Sequence, residues 1–404
     1  MNMDWVVPLL ILTAGFALIS VLGYMRRWLF FPLGLAYVAR LAMVLVNNYI
    51  FRFPQGASDA MVFDQVAKDW AKEGCINAFG YLDPSASYFY SGLLSVFYGC
   101  MAPSQMAAQI LNAVAGTLSV AFFALAASRM WGVSAARTCA FMIALFPALL
   151  VYSAVTLRES FLLLFFSAAV YATVRYSERK NLKWLFLAVA MLLGATLFHG
   201  GMAFGIFGLV SAAILQRVSI PTIDKNRAFQ RIFLTGSLLI VIGGLSVVSL
   251  DKIFIPKIGN LAAVDSELIS DVVSSRAEGN AAYLTGLSVT SIFDIVWQAP
   301  IRMVYLLFAP FPWNISSPSH LLGLVDGSFY LAFTVLAIRH RKELRRQPAV
   351  MLIAGMLLAL TLVYAYGTSN FGTAMRHRAK FYVAIVLIGV PLIHRRKMGL
   401  RIKQ

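Results

Sequence analysis

Apolar stretches about 17 to 25 residues long recur from residue 4 to residue 394, and each is long enough for a helix to cross a bilayer core. A chain built this way has lipid for a solvent. Its backbone N–H and C=O groups must then be satisfied within each segment, which requires helices. The expected fold is all-α: a polytopic transmembrane bundle, one integral membrane domain over residues 1–404. Composition agrees, with 60% hydrophobic and 13% charged residues, far from a soluble domain.

Eleven spans are expected, near 4–24, 28–50, 106–128, 135–153, 157–175, 184–199, 201–216, 232–250, 320–338, 349–366 and 380–394. The stretches 87–102 and 291–312 are short or broken by proline, so they read as re-entrant or interfacial. The first run, Trp5 to Tyr24, has no basic residue before it and leads straight into another span, so it reads as a helix and not a cleaved signal.

The formal net charge is +17, which in a soluble chain would suggest a nucleic-acid partner. Its distribution points elsewhere. With the amino terminus outside, the cytoplasmic connections and carboxyl terminus hold 22 of the 34 Lys and Arg residues against only Glu178, Asp224 and Glu343. That asymmetry is the positive-inside pattern, and it suits an anionic inner leaflet, so no nucleic acid is needed. The outer side then consists of the first loop 51–86, turns around Arg158 and His199, the long loop 251–318 and a turn at 367–379. Cys75, Cys100 and Cys139 are widely spaced and form no CxxC pair, which suggests packing residues without a disulfide framework or metal site.

Candidate chemistry gathers on that outer face. Ser58-Asp59 can cap a helix carrying Val62, Phe63, Val66 and Trp70 on an apolar stripe, and Asp59 or Asp64 could take a proton from a sugar hydroxyl; the plainer reading is a helix cap with solvated carboxylates. Arg158 and Glu159 sit in a very short turn, either neutralising each other or with Arg158 aimed at a phosphate. His199, beside Gly200 and Gly201, is an interfacial residue or an acid–base group. Arg376, His377, Arg378 and Lys380 lie within five residues, against the charge pattern of every other outer segment. Arg376 and Arg378 next to Gly372 and Thr373 suggest a diphosphate pocket, with His377 donating to the leaving oxygens; the alternative is a helix end reaching outer headgroups. Arg40 lies within a span and either reaches the same anion or pairs with Asp326. Arg276 in the long loop is a further anion ligand, and Trp313, among Phe308, Phe311 and two prolines, belongs to an interfacial belt or a sugar-stacking shelf.

The order of these features resembles the GT-C superfamily of membrane glycosyltransferases. The resemblance rests on the Ser58-Asp59-Ala to Phe63-Asp64 start, Tyr88 to Ser91, Asn112 to Leu118, Ala144 to Ser153 and Leu157-Arg158-Glu159. Pro310 to Trp313 and Gly372 to Arg378 look like features of oligosaccharide repeat-unit polymerases of the Wzy type. The resemblance implies an outer-leaflet site and a polyprenyl phosphate or diphosphate donor, here a polyprenyl-diphosphate-linked oligosaccharide, with transfer to a hydroxyl. It assigns Asp59 to the acidic residue of the first outer loop, a base or metal-linked carboxylate, with Asp64 the second candidate. No clear acidic pair accompanies it, so no cofactor is required and a divalent cation is left open. The implied setting is a bacterial inner membrane with a cytoplasmic carboxyl terminus, and membrane lipid, a chain-length regulator or a flippase as partners. A transporter or flippase of a lipid-linked or anionic solute is the rival, though no internal repeat supports it. An enzyme-free scaffold would tolerate loss of Asp59 and Arg376.

Overall fold

The computed structural model describes residues 3–57, 59–85, 87–218, 254–255, 259–260, 281–287 and 291–393. The expected span at 232–250, Arg276 and the cap residue Ser58 lie outside these. The described chain is helical apart from one short antiparallel pair, Phe254–Ile255 with Gly259–Asn260. Six of its helices are long and apolar enough to cross a membrane, and four more are apolar but shorter. The chain is a multi-pass membrane protein.

Helix α1 (Met3–Met25) is followed by α2 (Phe30–Leu45), which runs on into a π turn at Val46–Ile50. The first loop holds α3 (Asp59–Ala71) and the single turn α4 (Cys75–Ala78), and α5 (Phe89–Cys100) leads back to the bundle. The apolar side of α3 differs from the expected stripe. Ala60, Phe63, Asp64, Ala67 and Ala71 are buried, while Val62 is exposed. The helix turns its small residues to α5, which allows close packing.

The cysteine expectation is overturned. Cys75 and Cys100 form a disulfide that joins the start of α4 to the end of α5, their Cα atoms 4.4 Å apart, while Cys139 is buried and free. Spacing in sequence hid the pair because α3 to α5 fold back on themselves. Cys100→Ser is expected to lower stability by about 2–4 kcal/mol, read as a lower midpoint in denaturant titration of the purified protein. Maleimide labelling of the unreduced wild type should modify one cysteine fewer per bridge partner than after reduction.

Helix α6 (Gln105–Ala144) is two helical segments meeting at Gly132, whose φ of 84° and ψ of 173° no L side chain adopts easily. The segments 105–131 and 133–144 lie side by side. The Arg40 guanidinium donates to the Ala144 carbonyl and also packs against Gly116, residues that a straight helix would separate by about 42 Å. The expected adjacent spans 106–128 and 135–153 thus form a hairpin, except that Pro147 ends the second one early and begins a separate short helix, α7 (Pro147–Ser153).

Next come α8 (Glu159–Arg179), α9 (Leu182–Phe198) and α10 (Ala203–Val218). Helix α11 (Ile292–Phe308) carries Pro300 inside it without breaking, and ends just before Pro310 and Pro312, where the stretch 291–312 is broken. It starts on a capping box formed by Ser291 and Asp294. Then follow α12 (Pro318–Arg339), the single turn α13 (Arg341–Leu344), α14 (Pro348–Tyr366), α15 (Phe371–Ala379) and α16 (Ala384–Ile393). Helices α10 and α14 meet at Gly208 and Gly355, where a Cβ on either would strike the other's backbone. Small residues at such a seam are how membrane helices approach closely without a hydrophobic driving force.

Buried polar side chains inside the bundle position the turn between α7 and α8. Asn112, fully buried on α6, donates to the carbonyls of Val155 and Leu157 at 2.7 and 2.9 Å and accepts from the Tyr90 hydroxyl at 3.1 Å. With both amide functions engaged, Asn112 fixes the backbone from which Arg158 and Glu159 leave. It lies seven residues into α6, so this turn is recessed by about 10 Å from the helix start.

Candidate active site

The segment expected as an outer turn at 367–379 is largely helix α15. The Asn370 side chain caps it, accepting the Gly372 N–H at 2.9 Å. Arg376, His377 and Arg378 fall in its last turn. Successive helical residues are rotated by about 100°, so three adjacent cationic candidates leave the helix toward three different neighbours.

Arg376 reaches two carboxylates. Its Nε donates to Glu159 at the start of α8 and its Nη1 to Asp59 at the start of α3, both at 2.5 Å. One guanidinium therefore joins three elements far apart in sequence. Lys380 Nζ stands 3.6 Å from the same Glu159 oxygen. Glu159, Lys380 and Arg158 are all buried, whereas the Asp59 side chain is 59% exposed. Arg158 donates to the Ser87 carbonyl at 3.3 Å and lies over the Phe63 ring, and its Nε has no partner among the described residues. Arg376, Arg158 and Lys380 thus gather around two carboxylates, only one of them buried, an arrangement of basic groups suited to an anionic ligand. Burial opposes the charge on Arg376, but Glu159 and Asp59 outweigh it and raise its pKa above the ordinary arginine value.

Asp59 and Arg376 open onto a cavity of about 360 Å³. Its other walls include Tyr152 of α7, Ser319 and His320 of α12, Thr373 of α15 and the cap residue Asn370. The site is thus an acid–arginine pair at the wall of a polar, partly aromatic cavity, with further buried cations behind it.

The remaining sequence candidates separate. His377 lies behind the arginine, its Nδ1 2.7 Å from the Thr368 hydroxyl and its ring 5.3 Å from that of His199. His199 Nδ1 is 2.9 Å from the Tyr364 hydroxyl, so the two histidines and this tyrosine form a polar cluster inside the bundle. Asp64 is elsewhere: five residues past Asp59 it points about 140° away, taking a hydrogen bond from Tyr98 at 2.7 Å and pairing with Lys68 at 2.6 Å. Trp313 is 76% exposed on a short turn at Pro312–Asn314.

Two arginine expectations are corrected. Arg378 is fully buried and pairs with Asp326 at 3.0 Å. It also donates to the carbonyls of Leu307, Ala309 and Gly323, so four of its five N–H donors serve Asp326 and the backbone of α11 and α12, and its full burial keeps it from the cavity. Arg40 does not pair with Asp326. It donates to the Ala36 and Ala144 carbonyls at 3.0 and 3.1 Å, inside the bundle.

Sequence reasoning missed Tyr152, His320 and Lys380 as neighbours of the site. His320 sits at the first turn of a span, where it carries no motif, and only packing brings it to Asp59. Lys380 was visible in the cation cluster but not its turn toward Glu159. Among the described residues no three His, Cys, Asp or Glu side chains gather to hold a metal ion. Asp59 and Glu159 do not fit a bridging divalent cation, because the Arg376 guanidinium fills the position between them.

A family model described as dolichyl-phosphate-mannose-protein mannosyltransferase matches residues 84–246. The matched stretch begins ahead of α5 and contains the α6 hairpin, Asn112, Arg158, Glu159 and His199; Asp59 and α15 lie outside it. No curated protein matches the chain. The match covers less than half of the chain, and it makes this stretch similar to that family of membrane mannosyltransferases.

Proposed function

We propose that this chain is a membrane glycosyltransferase that takes its glycan from a polyprenyl phosphate or diphosphate and passes it to a hydroxyl acceptor on the non-cytoplasmic side. The observation that carries this reading is the Asp59–Arg376–Glu159 bridge at the cavity wall, with Arg158 and Lys380 behind it. The description of the matched family, which names a dolichyl-phosphate sugar, supports a lipid-linked donor. The Cys75–Cys100 disulfide supports an outward face for the loop bearing Asp59, because disulfides persist in oxidising compartments.

Without donor, Asp59 is tied to Arg376 and is a poor base. A donor phosphate placed against Arg376 competes for the guanidinium, and the Asp59 carboxylate is released toward the acceptor. Asp59 then takes the hydroxyl proton as the acceptor oxygen forms its bond to the anomeric carbon. The bond from that carbon to the phosphate oxygen breaks, and the phosphate leaves with the electron pair, its charge met by arginines already in place.

We extend the reading to polymerisation of repeat units of a cell-surface polysaccharide, on the resemblance of Gly372 to Arg378. Asp59→Asn keeps the shape of the site and removes the base; a fall in transfer of about 10²–10⁴-fold is expected. Surface glycan from cells carrying Asp59→Asn at normal abundance is the test. Loss of long polymer with single repeat units retained supports polymerisation, and loss of the repeat unit itself supports single-sugar assembly. Unchanged glycan overturns both and favours a transporter.

A further inference from the structure

Trp313 is the most exposed large aromatic near the cavity, and its surroundings differ from those of a membrane-belt tryptophan. It lies off the helices, on the turn Pro312–Asn314, with its indole stacked on Phe311 at 5.0 Å and 16°. Phe311 meets Tyr305 edge-on, Tyr305 stacks on Tyr283, and Tyr283 packs on Phe371, the first residue of the helix bearing Arg376. Trp313 is therefore the outer end of an aromatic row anchored to the active-site helix. The turn is also tied to the cavity wall: His320 Nδ1 is 3.2 Å from the carbonyl of Asn314, the residue after Trp313. Beside His320, the hydroxyls of Ser319 and Thr373 line the same cavity.

We propose that the outward indole face of Trp313 and the Ser319–His320 wall form the subsite for a sugar ring of the acceptor glycan. This rests on the glycosyltransferase reading. A pyranose presents a face of C–H bonds and an edge of hydroxyls. The first suits a rigid aromatic plane, and the second needs the alternating donors and acceptors that serine, threonine and histidine supply. An acyl chain has no use for the polar edge, and an anion has none for the indole face. Two aromatic side chains stacked in advance lose little freedom on binding. On this arrangement the acceptor approaches along Trp313 and turns its hydroxyl into the cavity toward Asp59, while the donor phosphate takes the Arg376 side.

The test uses the full chain in lipid nanodiscs, titrated with a panel of methyl glycosides and disaccharides and followed by isothermal titration calorimetry. Binding of undecaprenyl phosphate to the same sample is the donor-side probe. One or more saccharides should give a saturable change that is lost in Trp313→Ala and weakened by roughly tenfold in Ser319→Ala. Trp313→Phe should retain weaker binding, which keeps the test valid if the alanine variant is unstable. Undecaprenyl phosphate should bind all of these variants as it binds the wild type. Saccharide binding unaffected by Trp313→Ala overturns the subsite. So does the absence of any saccharide response together with quenching of Trp313 by doxyl-labelled lipid, which makes the residue a membrane anchor. Phosphate binding without saccharide binding removes the subsite alone, whereas saccharide binding at Trp313 without undecaprenyl phosphate binding removes the glycosyltransferase reading.

Discussion

Arg376→Lys is expected to lower the rate of sugar transfer by about 10²–10³-fold while leaving the protein folded and abundant. The guanidinium reaches Asp59 and Glu159 at once because its N–H groups diverge in a rigid plane. An ammonium group is a point charge on a flexible stem. It can stay beside Glu159 but cannot hold both carboxylates and a phosphate in one geometry. Arg376→Ala is less informative, because it strips Glu159 of its closest partner, and breaking a buried pair costs about 3–5 kcal/mol. The measurement is transfer from a polyprenyl-phosphate-linked sugar in detergent or nanodiscs, normalised to folded protein. Full activity in the lysine variant would mean that the bridge is a structural tie and that the anion is bound elsewhere.

Arg378→Met or Asp326→Leu alone should destabilise the protein by about 3–5 kcal/mol, and the two together by distinctly less. Each single change leaves one charge buried in the bundle with no counter-ion, since neither side chain has any exposure. The double change replaces the pair with apolar side chains of similar bulk, which a membrane bundle tolerates. Recovery should be incomplete, because Arg378 also serves the carbonyls of Leu307, Ala309 and Gly323. Unfolding in mixed micelles at increasing SDS gives the stabilities. Once folded, the double variant should still transfer sugar, which separates Arg378 from Arg376. If it folds and is inactive, Arg378 belongs to the donor site after all.

The contrast between these two arginines shows how far the sequence could be read. Both stood out for the same reason, positive charge on a segment where the overall pattern forbids it. Charge alone cannot tell them apart. Their roles diverge through helical geometry, two residues carrying them to opposite sides of α15, and that helix was not evident in a short polar stretch. Asp59, Arg158 and Glu159 were legible because ionisable groups are scarce in so apolar a chain. Among the described residues, helix positions followed from the apolar runs where a run was uninterrupted. They failed at Pro300, which the helix absorbs, and at Pro147, which starts a separate helix. His320 and the Cys75–Cys100 bridge depend on tertiary contacts with no local signature.

The one-residue reversal at Gly132 decides where the chain returns. Because it doubles back there, the loop bearing Asp59 and the turn bearing Glu159 come to the same end of the bundle, where Arg376 joins them. Arg129 and Arg137 flank the reversal in sequence. A single residue joins the two limbs, so neither can slide far along the other. The two acidic ends of the Arg376 bridge thus meet at one end of the bundle because the backbone reverses at one glycine.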